Sequence, residues 1–121
     1  MSIKPSTIKR GDIWLVNFEP TEGTEIKKKR PAVVISSDSI GKLPIKLIAP
    51  FTGWQASFTN SIWHVKIVPD STNNLRKTSS VDALQVRGVD VKRFIPPKLG
   101  VLSQDQIEEI ISALAAVIEL E

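Results

Sequence analysis

The chain has 121 residues and carries 16 Lys and Arg against 13 Asp and Glu, so its formal net charge is +3. This length fits one domain, residues 1–121; the absence of cysteine excludes disulfides and thiol catalysis, and a single histidine leaves little for a zinc site. No apolar run approaches the roughly 20 residues that span a bilayer, and the N-terminus lacks the apolar core of a signal peptide. We therefore expect a cytosolic protein with no membrane contact, no metal and no other cofactor.

The charges are unevenly distributed along the chain. Residues 1–102 hold all 16 basic residues and 8 acidic ones, a net charge of +8, whereas residues 103–121 hold 5 acidic residues and no basic one. A basic surface attracts polyanions, so this asymmetry favours an anionic partner on the body of the protein. An ordinary solvated surface is the alternative interpretation.

The first half of the chain is predicted to contain three strands. Met1–Thr7 is expected to be a flexible arm, and Ile13–Phe18 reads as the first strand. Glu19–Lys29 is then a long polar loop with turn-forming residues. The nearly all-apolar run Ala32–Ser36 is typical of a central strand, and Ile45–Phe51 is the third strand.

The second half adds further short strands. Thr52–Ser61 is polar and reads as a loop. Ile62–Val68 alternates between two faces, which indicates a half-buried strand. Thr78–Val89 is predicted to form one or two strands, and Phe94–Leu99 another short one.

The C-terminus is predicted to be a helix that begins at Ser103. Ser103 is a good N-cap, and Gln106 three residues later completes a capping box. Apolar residues at helical spacing form a stripe expected to pack on the sheet: Ile107, Ile110, Ile111, Leu114, Val117 and Ile118. The fold class is thus mainly β with a C-terminal helix (α+β), a small, strongly curved antiparallel sheet close to an SH3-like barrel.

Residues 11–36 carry a motif in which a basic cluster, Lys27–Arg30, ends a loop directly before Pro31. The pattern resembles the start of the MazF/PemK (Kid) family of toxin endoribonucleases, which typically reads G-D-[IV]-x-x-[VA]-x-[FL]-x-P, then G-[ST]-E, then R-P-x-[VL]-V-[IL]-S. The matching residues are Gly11-Asp12-Ile13, Phe18, Pro20, Gly23-Thr24-Glu25, Arg30-Pro31 and Val33–Ser36. Residues 79–87 also resemble the family's D-S-V-x-L-x-[DE]-Q-I-R stretch, although Leu84 replaces the usual acid.

The resemblance implies a compact MazF/CcdB-like barrel that assembles as a homodimer. It also implies metal-independent cleavage of single-stranded mRNA through a 2′,3′-cyclic phosphate, which inhibits translation and growth. A cognate antitoxin with a disordered acidic tail would neutralise the enzyme by folding into the same basic groove.

Three residues are candidates for catalysis. Arg30 offers a permanently charged fork of donors that matches phosphate oxygens, and the resemblance places the family's catalytic arginine directly before this proline. Thr52 ends the third strand, where the family has a Thr or Ser that faces the arginine. Glu25 lies in the Gly-Ser/Thr-Glu position of the loop and could assist proton removal from the ribose 2′-OH. A perturbed Arg30 or a water molecule remains an alternative base.

Five further residues are candidates for RNA binding: Lys28, Lys29, Trp54, Gln85 and Arg87. The two lysines belong to the basic cluster, and Gln85 and Arg87 match the Gln and Arg of the family's second motif. Trp54 follows Thr52 in a polar loop. Its indole could stack on an unpaired base, or it could fold onto the barrel as a plug.

Two other functions stay open at this point. A gyrase poison of the CcdB type shares the fold but does not need the Arg30–Thr52 pair. A non-catalytic RNA-binding SH3-like barrel would use the same basic surface without cleaving. Neither the RNA motif nor the antitoxin can be read from the sequence.

Overall fold

Seven antiparallel strands and one C-terminal helix make up the computed structural model, which describes residues 3–120. The elements are β1 (Asp12–Asn17), β2 (Lys29–Val34), β3 (Ile45–Gly53), β4 (His64–Ile67), β5 (Ser79–Asp82), β6 (Arg87–Asp90), β7 (Phe94–Val101) and α1 (Gln104–Val117). The sequence-based fold class, mainly β with a terminal helix, is therefore confirmed.

The sheet is built around β3. Its strand order is β4-β5-β3-β2-β1-β7, and β6 pairs with β3 as well. β6 pairs with Ile45–Ile48 and β5 with Phe51–Gly53, so one long strand serves two partners. A 3-10 turn, Ala83–Gln85, separates β5 from β6. Because β4 and β7 do not pair within the described residues, the sheet curves as an open sheet and is not a closed barrel.

The two faces of the sheet bury separate cores. On the helix face, Ala49 and Phe51 of β3 pack with the buried residues of α1. On the opposite face, Ile48 packs with Phe18 and with the apolar residues around β6. Alternate residues of a strand point to opposite faces, so this division assigns a face to each residue of β3, including Thr52.

Helix α1 begins as the sequence indicates. The Ser103 side chain accepts a hydrogen bond from the Gln106 backbone, and the Gln106 side chain accepts one from the Ser103 backbone, which completes the capping box. Ile110 is fully buried, but Ile111 is 37% exposed and Ile118 62% exposed. Ile107 and Ile110 thus pack in the core on the helix face as expected, whereas Ile111 and Ile118 lie outside that contact.

The predicted N-terminal arm, Met1–Thr7, lies partly outside the described residues. Within them, Pro5–Thr7 forms a single 3-10 turn and Ile3 packs against the core on the face opposite the helix. Ile8, the next residue, is 1% exposed and belongs to that core. The chain is thus anchored to the sheet four residues before β1 begins.

Candidate functional site

Arg30 and Thr52 lie on neighbouring strands, each two residues beyond the last observed pair of β2 and β3. β2 and β3 pair antiparallel with Ala32 opposite Pro50. Continuing that register by two residues on each strand sets Arg30 opposite Thr52, on the same face as Ala32 and Pro50. Both side chains therefore belong to the face opposite the helix, at the end of the strand pair where the β1–β2 and β3–β4 loops leave the sheet.

Within residues 3–120, the guanidinium of Arg30 donates one hydrogen bond, from its Nε. Arg30 is half-buried, and its Nε donates to the Lys27 carbonyl at 3.1 Å. Within residues 3–120, Lys98 forms an ion pair with Asp12, and His64 Nε2 lies 4.0 Å from Asp82 Oδ2; neither contact involves residues 27–30. In the part of the chain that the structure describes, no carboxylate therefore pairs at short range with a side-chain nitrogen of Lys27–Arg30, although the Glu19 carboxylate lies on the backbone of the same loop. Such a cluster can receive a phosphate.

The loop before Arg30 is fixed by a carboxylate and by backbone geometry. Lys28 has a φ of +66°, an uncommon conformation for a residue with a side chain, and its N–H donates to Glu19 Oε1 at 3.3 Å. This backbone bond, followed by the Thr21 hydroxyl, lowers the pKa of Glu19. The side chains of Lys28 and Lys29 are exposed. The loop therefore presents both ammonium groups to solvent beside Arg30.

Glu25 is placed in a cavity by its own turn. Its Oε1 accepts a hydrogen bond from the Glu22 backbone at 2.7 Å, and its N–H donates to the Glu22 carbonyl at 3.1 Å. The cavity has a volume of about 340 Å3. It is lined by Phe18, Thr24, Glu25, Ile26, Leu84, Gln85, Val86 and Arg87.

This cavity brings together three of the sequence-predicted residues, Glu25, Gln85 and Arg87, but Arg30 and Thr52 do not line it. Phe18 connects the two parts, because its N–H donates to the Lys28 carbonyl at 2.9 Å while its ring lies 5.9 Å from the Arg87 guanidinium carbon. The site thus has two adjoining parts, an Arg30–Thr52 pair on the sheet and a cavity beside the loop.

Gln85 is engaged within the protein. Its Oε1 accepts from the Ile26 N–H at 2.6 Å, and its Nε2 lies 3.5 Å from the Thr24 carbonyl and 3.4 Å from Asp82 Oδ2. These contacts tie the β1–β2 loop to the turn after β5. Contact with RNA stays a prediction for this side chain, and it would compete with these bonds.

Trp54 is neither fully exposed nor a buried plug. It is half-buried, with its ring 5.7 Å from that of Phe58 in an edge-on arrangement and the Lys66 Nζ 5.1 Å above it. The backbone N–H of Trp54 donates to the Thr78 carbonyl at 3.3 Å. The indole is therefore held in place yet partly open to solvent, as a stacking surface requires.

Within residues 3–120, no group of three or more His, Asp or Glu side chains is arranged to hold a metal ion. No helix in the same residues is long and apolar enough to cross a membrane.

A sequence model of a family described as "PemK-like, MazF-like toxin of type II toxin-antitoxin system" matches residues 9–118. The chain belongs to this family. The chain is also 32% identical over 120 residues to the endoribonuclease toxin ChpB of Escherichia coli (strain K12), covering 97% of this chain and 99% of ChpB. The match extends over nearly all of both proteins, so it includes every candidate site residue.

Solved structures share the fold of this MazF-like chain at low sequence identity. MazF from Deinococcus radiodurans superposes with a TM-score of 0.76 at 22% identity, covering 93% of this chain and 96% of that one. An endoribonuclease in complex with its cognate antitoxin, from a mycobacterial species, gives a TM-score of 0.72 at 15% identity, again over 93% and 96% of the two chains. These likenesses confirm the architecture.

Proposed function

We propose that this MazF-like toxin is a metal-independent endoribonuclease that cleaves single-stranded mRNA and is neutralised by a cognate antitoxin in the cytoplasm. The family match and the name of the ChpB relative, an endoribonuclease toxin, support the reaction class. The observation that supports the proposal most is the register of β2 and β3, in which Ala32 pairs with Pro50; extended by two residues on each strand, it would bring Arg30 and Thr52 together on one face. A cation and a hydroxyl at facing positions are suited to a phosphate between them.

The proposed reaction is an internal transfer at phosphorus. The ribose 2′-OH attacks the adjacent phosphorus, the bond to the 5′-oxygen of the next nucleotide breaks, and a 2′,3′-cyclic phosphate and a 5′-OH result. The 2′ proton leaves to a base and the 5′ oxygen gains a proton, so the step needs no other reactant. Its main requirements are alignment and stabilisation of the charge that develops on the phosphorane oxygens.

Arg30 would stabilise that charge. Its Nε bonds to the Lys27 carbonyl, which orients the guanidinium and leaves the two Nη groups for the phosphorane oxygens. The Thr52 hydroxyl would donate one further hydrogen bond to the same phosphate. Lys28 and Lys29, both exposed beside Arg30, would hold neighbouring phosphates of the strand.

Glu25 is our candidate for the base, directly or through a water molecule. Its carboxylate keeps one oxygen on the Glu22 N–H, so the second oxygen is available in the cavity. Arg30 is not our candidate, because a guanidinium presents only hydrogen-bond donors and no acceptor for the proton. Arg87, in the same cavity, would bind the strand as it enters.

The net charge of +8 on residues 1–102 suggests anionic partners. We propose a homodimer whose basic groove receives either RNA or the acidic tail of the antitoxin, so the two ligands exclude each other. Tail binding should weaken with salt, because exposed charges are screened over about 8–10 Å at 0.1–0.15 M. Protection of RNA should be measured against rising antitoxin at two salt concentrations. Simultaneous saturation of one groove by both ligands would contradict the shared site.

The direct test is cleavage of a mixed-sequence single-stranded RNA by purified protein in EDTA, followed by mapping of the ends. We expect cuts with 2′,3′-cyclic phosphate or 3′-phosphate ends, and no cuts with Arg30→Ala. Arg10→Ala is the matched control, because Arg10 precedes β1 at the opposite end of the β1–β2 pair. Activity that requires added magnesium would refute the mechanism. Binding without cleavage would favour the non-catalytic barrel.

A further inference from the structure

A row of polar side chains continues from Thr52 across two further strands of the sheet, β5 and β4. Thr52 of β3 pairs with Ser80 of β5, and Ser80 pairs with Lys66 of β4. Directly opposed residues of antiparallel strands share a face, so Thr52, Ser80 and Lys66 follow one another on the face to which Arg30 also belongs. Ser80 is fully buried, whereas Lys66 is exposed. The next row along the strands contains Asp82 opposite His64. Polar side chains thus lie on this face at the ends of β3, β5 and β4, next to the apolar core around Ile48.

An aromatic shelf stands on the β4 end of this row, and it consists of Trp54, Phe58 and His64. The Phe58 ring stacks on His64 with 3.6 Å between centroids and an interplanar angle of 5°. Trp54 meets the same Phe58 ring edge-on at 5.7 Å, and Lys66 Nζ lies 5.1 Å above the indole. An ammonium group therefore lies beside the partly open indole, at the end of the polar row.

The His64 ring of this shelf is contacted by two polar side chains, Ser61 and Asp82. His64 Nδ1 lies 2.9 Å from Ser61 Oγ, and His64 Nε2 lies 4.0 Å from Asp82 Oδ2. Asp82 also accepts from the Leu84 N–H at 3.0 Å, which fixes the carboxylate. The imidazole is thus hydrogen-bonded through Ser61, with the Asp82 carboxylate near its other nitrogen, and the Phe58 ring stacks on it.

We propose that Lys66 and the shelf form a second RNA subsite, which takes a nucleotide next to the one cleaved. A base would stack on the open side of Trp54, and the phosphate of that nucleotide would bind the Lys66 ammonium group. The inference rests on the proposed function, since it places this subsite in line with Arg30 and Thr52. Single-stranded nucleic acid is recognised by this combination of a cation and an aromatic surface.

The spacing agrees with this assignment. Neighbouring strands lie about 4.8 Å apart, so two steps from β3 through β5 to β4 separate Thr52 from Lys66 by about 10 Å. That distance corresponds to about three nucleotides in a stacked strand, at about 3.4 Å each, and to fewer in an extended one. Lys66 therefore lies within one to three nucleotides of the bond at Thr52, along the row of side chains.

The test is the salt dependence of binding to a labelled single-stranded RNA whose ribose at the cut site is 2′-deoxy. For Lys66→Ala we expect an affinity roughly 3- to 10-fold weaker, and a slope of log K against log salt smaller by about 0.7, the value for one lost phosphate contact. Lys66→Arg should restore the slope. Lys42→Ala is the matched control, because Lys42 is exposed near the opposite end of β3 from Thr52.

Cleavage of the all-ribose strand separates this proposal from the proposed function. Lys66→Ala should raise KM by a similar factor and leave kcat unchanged, because Lys66 does not touch the reacting phosphate. If the wild-type protein binds RNA but does not cut it, the proposed function fails while the slope still tests the subsite. If the salt dependence of RNA binding is the same for Lys66→Ala and the wild type, the subsite proposal is wrong, even if cleavage is confirmed. A lysine that only packs on Trp54 would change the stability of the protein and not its salt dependence of binding.

Discussion

Gln85 is expected to control the loop that carries Glu25, and the structure allows the effect of its removal to be estimated. In Gln85→Met, the Ile26 N–H loses the acceptor that lies 2.6 Å away, and the two longer contacts of Gln85 Nε2 disappear with it. Only the short bond has good geometry, so the loss corresponds to one hydrogen bond with a part-buried donor left unpaired, about 1–2 kcal/mol. The equilibrium ratio of the loop bonded to residue 85 to the loop detached from it should therefore fall by a factor of roughly 5–30.

Two measurements should report this change together. Hydrogen exchange at the Ile26 amide should accelerate by a similar factor, and kcat/KM for RNA should fall up to 30-fold if Glu25 must be held. Gln85→Glu keeps the acceptor for Ile26 and should retain more protection than Gln85→Met, although its charge lies next to Asp82. Gln104→Met on the exposed face of α1 is the control.

The reasoning would be refuted by unchanged exchange at Ile26 in Gln85→Met, because the amide would then have a different acceptor. Faster exchange with normal cleavage would show that the loop contact exists but that Glu25 takes no part in the reaction. These two results separate the structural claim from the chemical one.

Four further outcomes are expected. Arg30→Lys should cleave poorly although it keeps the charge, because an ammonium group cannot make the paired hydrogen bonds of a guanidinium. Thr52→Ala should lower kcat by roughly one to three decades through the loss of one hydrogen bond to the transition state. Single-turnover cleavage rates would check both. Ser103→Ala should lower the free energy of unfolding by about 1 kcal/mol through loss of the helix cap, with cleavage unaffected, as chemical denaturation would show. Burial lowers the pKa of Lys46, which is 2% exposed and bonds to the Gly41 carbonyl. The unfolded state then binds more protons than the folded state at alkaline pH, so the free energy of unfolding of the wild type should rise with pH relative to that of Lys46→Met. Chemical denaturation of both proteins as a function of pH would measure this. A difference in stability that stays constant with pH would contradict the prediction.

Local signals predicted much of the fold. The Ser103–Gln106 capping box depends on residues three positions apart, and it formed as expected. The alternation in residues 62–68 likewise indicated β4, in which Val65 and Ile67 are buried and Lys66 is exposed. Such patterns are readable because one turn of helix or one strand determines them.

Long-range features could not be read in the same way. The aromatic shelf requires Phe58 to lie on His64, and the Gln85 bonds cross about sixty residues of chain. Burial of a helix also depends on what lies opposite, so Ile111 and Ile118 belong to the apolar stripe but remain exposed. Only the register of β3 with β5 and of β5 with β4 shows that Lys66 lies in line with Thr52.

The central claim is that this chain cleaves RNA by attack of a ribose 2′-OH at the Arg30–Thr52 pair. It is tested most directly with two RNA oligonucleotides that contain a mapped cut site, one with ribose throughout and one with a single 2′-deoxy sugar before the cut bond. Both are incubated with the protein in EDTA. We expect the all-ribose strand to yield a 2′,3′-cyclic phosphate and a 5′-OH, and the deoxy strand to stay intact while still binding. Cleavage of the deoxy strand at the same bond would contradict the account.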